Sequence, residues 1–360
     1  MSDSWTTFMR DQQRTGYCPE EFEPPLELAW KRQFINYPEV SNCIHGSAII
    51  VGETVYFAWD HLYALDLHTG HVLWRSKTRI DSQGRGSPLF WSDSLWLAGR
   101  EGIYQLDPKN GDLIRYWPSQ IFGTSVTIAD NKLYWVAVTS TLWSLDLQTE
   151  EMLPFPDKVE KNTILSFDSE RLYGSVFKDY GSRLVAWDRA TRRTAWEYIP
   201  PQGTSFLVNP LSVGSSRVYA CFKKGSGLIA LDAATGQVDW NFSDPVRTPP
   251  CLSDGRIYIG GNAFYALDAE TGTIIWQQGA EEPRSASFHF DVSAPICVGS
   301  SIYVGGGSKR MIYGFDARQG DLIWHYETED MVYSTPVYAN GHLLIGSHDG
   351  YLYCFRQAHP

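Results

Sequence analysis

"FYALDAETGTIIW", residues 264–276, sets Asp268 four residues ahead of Gly272 and eight ahead of Trp276. The phrase returns along the chain as "LYALDLHTGHVLW", "IYQLDPKNGDLIRYW", "LWSLDLQTEEMLPF", "LVAWDRATRRTAW", "LIALDAATGQVDW" and "IYGFDARQGDLIW". Its aspartates are Asp66, Asp107, Asp146, Asp188, Asp232, Asp268 and Asp316, spaced by 36 to 48 residues. A period of that size is the mark of a repeat architecture. Each unit divides into four short alternating runs separated by D-G, T-G or G-G turns, as in "TPPCL", "GRIYIGG", "AFYALDA" and "TIIWQQ". Alternation with β-branched and aromatic residues predicts strands, and the Gly-bearing pairs predict tight turns.

The three repeated residues each have a structural task. The Asp ends a third strand, where its carboxylate can accept from backbone N–H groups two or three residues on. The Gly takes the left-handed conformation that such a turn requires. The Trp sits on the outer strand and fills the gap against the next unit. Five units of seven keep the Gly (Gly70, Gly111, Gly236, Gly272, Gly320), and five keep the Trp (Trp74, Trp196, Trp240, Trp276, Trp324). The third and fourth units are the degenerate ones.

The two ends of the chain close the count. The final unit, "STPVYANGHLLIGSHDGYLYCF", holds three strands, and "LELAWKRQF" (residues 26–34) reads as a lone outer strand carrying Trp30. Pairing them completes an eighth unit and removes the open edges. The expected fold is all-β: an eight-bladed β-propeller with four-stranded blades, the last closed by an N-terminal strand. It occupies residues 26–357, preceded by an N-terminal cap over residues 1–25.

"ALDAATGQVDW" and "ALDAETGTIIW" resemble the Trp-docking repeat of the PQQ-like propellers, which include quinoprotein dehydrogenases and BamB-type outer-membrane assembly proteins. "SWTTFMRDQQRTGY" resembles the W-x-x-F-x-x-D-x-x-R-T-G segment that precedes such propellers. A quinoprotein resemblance implies PQQ stacked on a Trp beneath a vicinal disulfide, with calcium held by acidic and amide ligands. The six cysteines include no adjacent pair, and no cofactor is expected. BamB-type proteins are exported lipoproteins, whereas no lipobox precedes Cys18 and no signal-like stretch opens the chain. A cytoplasmic location is the expectation.

Composition narrows the partners. The net charge of −11 disfavours binding by phosphate neutralisation, so nucleic acid is not expected. No apolar run reaches the roughly 18 residues of a membrane span. The 14 Trp, 20 Tyr and 17 Phe are largely accounted for by the repeat and do not by themselves indicate a ligand.

Function is expected where the repeat breaks, in the loops leading into each inner strand and those joining second to third strands. The longest, "QQGAEEPRSASFHFDVSA", carries Arg284, His289 and Asp291; His289 with Asp291 form the candidate catalytic pair of base and orienting carboxylate. Arg79, Asp81 and Arg85 in "RSKTRIDSQGRGS", with His45 and Asn42 in "NYPEVSNCIHGS", are candidate ligand-binding residues alongside Arg284. Second-to-third-strand loops add Asp60 with His61, Arg100 with Glu101, Lys178 with Asp179 and Tyr180, Lys223 with Lys224, Lys309 with Arg310, and His348 with Asp349. In the cap, Trp5 and Phe8 offer apolar anchors, while Arg10, Asp11 and Arg14 are expected to bond neighbouring loops. No metal site is assigned. The leading expectation is a binding scaffold that shows its loop face to a protein or peptide. The alternatives are an enzyme acting on a small molecule or peptide at the channel mouth, or a PQQ- or metal-binding sensor.

Overall fold

In a computed structural model of the chain, the described residues are 4–34, 44, 46–80, 86–121, 126–159, 164–178, 181–201, 211–222, 227–261, 263–279 and 292–358. Among them lie eight antiparallel four-stranded sheets, two of which gain a fifth strand from the N-terminal segment. They form the blades of a propeller. The inner strands, in blade order, are Ile49–Val51, Leu89–Trp91, Thr127–Ala129, Ser166–Phe167, Ser212–Val213, Cys251–Ser253, Ile296–Val298 and Val337–Ala339. Blade 8 takes its outer strand from the other end of the chain: Leu26–Gln33 pairs antiparallel with Tyr351–Gln357.

The turn chemistry is that read from the repeat. Asp268 Oδ1 accepts from Glu270 N at 3.0 Å, Thr271 N at 2.8 Å and Thr271 Oγ1 at 2.9 Å. Asp66, Asp107, Asp146, Asp188, Asp232 and Asp316 each accept in the same way. The threonine hydroxyl, reinforced by the backbone donor, holds the carboxyls of Asp66, Asp232 and Asp268 below the usual range.

Docking of one blade on the next uses the other two residues. Trp30, Trp74, Trp196, Trp240 and Trp276 each lie over the glycine of the following blade, so close that a Cβ on Gly70, Gly111, Gly236, Gly272 or Gly320 would sit 2.4–2.6 Å from the indole. Each indole N–H also donates to the carbonyl just after the neighbouring Asp, at 2.8–3.2 Å. Where the glycine is missing the turn survives: Glu150 (φ 61°) and Arg192 (φ 59°) take the left-handed conformation in its place. The second unit shares in the degeneracy, because Arg115 stands where five of the units carry Trp, and it forms an ion pair with Glu150.

One buried and one half-buried histidine, His342 and His348, are expected to make the fold acid-sensitive. Burial pulls His342 below its ordinary value of 6.5, with His68 and Arg356 acting the same way against Asp66 and the Asn340 carbonyl. Burial likewise lowers His348, against Asp330 and Asp349. Below pH 6.5 the unfolded rings take up protons first, so stability present above that value is lost as pH falls through the folded pKa values. His342→Asn should flatten the dependence of the urea midpoint on pH between about 7 and 5; an unchanged slope refutes this.

Candidate functional site

The N-terminal segment is the feature that most shapes the channel. Ser4 and Trp5 pair with Val51 and Ile50 on the inner strand of blade 1. Thr6 O then accepts from Phe90 N of blade 2 at 2.9 Å. Gln12 Nε2 donates to Ile128 O of blade 3 at 3.0 Å, and Gln12 O accepts from Phe167 N of blade 4 at 3.2 Å. Gln13 O accepts from Val213 N of blade 5, and Thr15 O from Leu252 N of blade 6, both at 2.8 Å. Tyr17 and Cys18 add a parallel strand to Cys297 and Val298 of blade 7. Phe22 finally packs on Tyr338 of blade 8 with ring centroids 4.8 Å apart. In this order the segment meets the inner strand of every blade, so it crosses the inside of the ring as a plug.

Sequence reasoning expects the cap to bond neighbouring loops; in the structure Arg14 turns inward, while Arg10 and Asp11 are half-buried. Arg14 is 1% exposed. Its Nη1 donates to Thr7 Oγ1 at 2.9 Å and Phe8 O at 2.7 Å, and its Nη2 to Thr127 Oγ1 at 3.1 Å. Burial lowers the guanidinium to about 10, still far above neutrality, and Asp11 opposes that shift. Asp11 itself accepts from Thr15 N at 2.9 Å and from the Thr15 hydroxyl; burial nonetheless raises its carboxyl. Gly16 (φ 67°) sits under Met9, Pro295 O and Cys251 Sγ, with no room for a side chain. The Asp11–Arg14–Thr15–Gly16 run is therefore the folding code of the plug.

The plug occupies one end only. Ser4 Oγ accepts from Gly52 N at 3.4 Å, and Cys18 O from Gly299 N at 2.9 Å; both partners lie in turns between first and second strands. The loops entering the inner strands open at the opposite end. Each described entering loop returns to the ring through a buried aliphatic side chain: Ile44, Ile80, Ile121, Val159, Val246, Val292 or Val332. Gly260, Gly305 and Gly346 leave the space for Val292, Val332 and Ile44. Hydroxyls fix the collar: Thr248, Ser293 and Ser334 accept from Gly260, Gly305 and Gly346 N at 2.7–2.9 Å.

Of the candidate ligand-binding and catalytic residues, Arg79 is described and exposed, one residue before the anchor Ile80, whose N–H donates to Asp60 O at 2.8 Å. His45, Asp81, Arg85, Arg284, His289 and Asp291 lie outside the described residues, as do Asn42, Asp179, Tyr180, Lys223 and Lys224. The described mouth carboxylates are tied to tyrosines. Asp60 accepts from Tyr63 Oη at 2.9 Å, with His61 Nδ1 at 3.0 Å. Burial opposes ionisation of Asp60, but these two partners outweigh it and hold the carboxyl below its usual range. Asp349 accepts from Tyr353 Oη at 2.7 Å, Tyr351 N at 3.0 Å and Glu329 N at 3.2 Å. The His348 ring lies 5.1 Å from that of Tyr333. These contacts stiffen the mouth, and the signal for them was the Asp-x-x-Tyr and Asp-x-x-x-Tyr spacing in the sequence.

Cys18, Cys221, Cys251, Cys297 and Cys354 are buried free thiols that burial pushes upward. Among the described residues no group of three or more His, Cys, Asp or Glu is placed to hold a metal ion. No described helix is long and apolar enough to cross a membrane.

A ring of eight blades, with five junctions docked by a Trp on the next blade's glycine and closure by the chain's own N-terminal strand, defines the PQQ-like class of propeller. The family model described as outer membrane protein assembly factor BamB matches residues 27–198 and 181–360, and the chain belongs to this family. The assembly factor BamB of Burkholderia pseudomallei is 24% identical over 339 residues, covering 86% of this chain and 84% of that protein. The quinohemoprotein alcohol dehydrogenase ADH IIB of Pseudomonas putida is 32% identical over 123 residues, which span 29% of this chain and 18% of the dehydrogenase. Among solved structures, BamB from Moraxella catarrhalis superposes with a TM-score of 0.71 at 15% identity, covering 92% of this chain and 99% of that one. A europium-containing methanol dehydrogenase gives 0.77 at 13% identity over 99% and 98%. At such identities the superpositions speak for the fold alone, and the chain is a BamB-like propeller scaffold.

Proposed function

We propose that this protein is a binding scaffold that holds a protein or peptide against the loop end of its ring. The observation that carries the reading is the plug. The N-terminal segment is bonded to the inner strands at one end, and the irregular loops gather at the other. The match over most of a relative named as an assembly factor supports a protein partner, whereas the dehydrogenase match spans a small fraction of that enzyme. A cytoplasmic location belongs to the same proposal; the buried free thiols accord with a reducing compartment.

A photo-crosslinking side chain placed at Arg79, on the loop end, tests the reading against the same group at Glu53, in a turn at the plugged end. Discrete protein adducts are expected from position 79 and not from position 53. Equal adduct patterns, or adducts from position 53 alone, count against it.

One observation favours a second reading, binding of a small molecule at the mouth. Burial lowers His348 beside Asp349, so the ring meets a ligand as neutral imidazole at pH 7. Native mass spectrometry of the freshly purified protein separates the two readings: a retained small mass selects the second, and its absence the first.

A further inference from the structure

The junction between blades 2 and 3 is built differently from the intact docks. At those, a second-strand tyrosine joins the Trp on the neighbouring carbonyl: Tyr56 on Pro108, Tyr173 on Ala233, Tyr219 on Ala269 and Tyr258 on Ala317, at 3.0–3.4 Å. A small residue two before the Asp, such as Ala64, Ala230 or Ala266, makes room. In blade 2 all of these positions change together. Trp96 replaces the tyrosine, Gln105 the small residue, Arg115 the docking Trp, and Glu150 the facing glycine.

The exchange leaves a cleft of about 420 Å³ at this junction. That is the size of a small-molecule site. One wall is a pair of stacked indoles, Trp96 and Trp117, with centroids 5.6 Å apart and planes 22° from parallel. Trp91 adds an Nε1–H that is shielded from solvent and has no hydrogen-bond partner. The amides of Gln105, Asn131 and Gln148 line the remainder. Gln105 donates to Ser94 Oγ at 3.0 Å, which leaves its carbonyl oxygen free to accept. Arg115 is neutralised by Glu150.

We propose that this cleft binds a neutral saccharide. A pyranose ring has an apolar C–H face that suits the indole wall and a rim of hydroxyls that both donate and accept. Those hydroxyls match the side-chain amides. An anion finds its natural partner, Arg115, already paired. A wholly apolar ligand leaves buried polar groups without partners, which is costly. The site lies at the plugged end of the ring, so it is independent of any partner held at the mouth.

The test is titration of the full chain with cellotetraose, maltotetraose and chitotetraose, followed by calorimetry and by tryptophan emission. Saturable binding of at least one is expected. R115W/E150G restores the repeat's own dock and fills the cleft; it should abolish binding while raising the urea midpoint. Gln105→Ala, the residue other blades carry, should weaken binding about fivefold, and it serves as the readout if the double variant does not fold. No saturable binding to any of the three sugars overturns the proposal, as does binding that R115W/E150G and Gln105→Ala leave unchanged.

Discussion

Replacing Arg14 with methionine is expected to cost about 3–5 kcal/mol of stability, because three acceptors inside the fold lose a charged donor at about 1–3 kcal/mol each. The methionine fills much of the volume but donates nothing. Thr7, Phe8 O and Thr127 lose their donor, and Asp11 loses one of two nearby cations that act after its Thr15 hydrogen bonds against the effect of burial. Arg14→Met/Asp11→Asn should recover part of the loss, because the second change removes a carboxylate that burial already disfavours. Urea denaturation at pH 7 reads both. A loss below about 1 kcal/mol, within the span of an ordinary single hydrogen bond, means that the plug is a passive filler. Arg10→Met is the control: Arg10 reaches the Tyr17 carbonyl but lies only partly buried, and a smaller effect is expected.

Trp276→Ala is the second large effect, again about 3–5 kcal/mol, as for an aromatic removed from a packed core. Its indole lies on Gly320, donates to Ala317 O at 3.1 Å, and packs against Tyr258 and Phe264 at centroid distances of 6.0 and 5.7 Å. Gly320→Ala attacks the same dock from the other side, with its Cβ 2.6 Å from the ring and a φ of 81°. The two costs should not add. Once the indole is gone, the alanine keeps only its left-handed strain, about 1–2 kcal/mol, a conformation that Glu150 and Arg192 already adopt. A double-mutant cycle measures the coupling; strict additivity means that the indole and the glycine do not form one unit.

The propeller was legible in the sequence because Asp, Gly and Trp each encode a local device, and their period carries the devices around the ring. Closure was legible too, since Trp30 arrives without its three preceding strands. The cap was harder. Asp11 and Arg14 look like surface residues, since charged side chains are seldom fully buried; only the converging carbonyls and hydroxyls of the plug make that burial tolerable. The loops were hardest, because one aliphatic residue such as Ile80 or Val332 suffices to return a loop to the ring, whatever its length. The cleft beside Trp117 did leave a trace. Gln105 and Arg115 depart from the repeat within the same unit, and Glu150 departs at the facing position of the next.

The plug and the closing strand together set an order of assembly. Residues 4–33 leave the ribosome before the blades, yet their partners are spread through all eight of them, out to Gln357. Blades 1 to 7 can form and dock in turn from local hairpins, while the opening stretch waits with its polar backbone unpaired. Contacts of such long sequence separation are slow to make, because the chain's freedom is lost before they can form. The ring therefore closes only when both chain ends meet, and a nascent protein halted anywhere before residue 351 is an open arc with an exposed strand edge. A chaperone that shields that edge, or the first thirty residues, would govern the yield of the finished protein more than any step inside a blade.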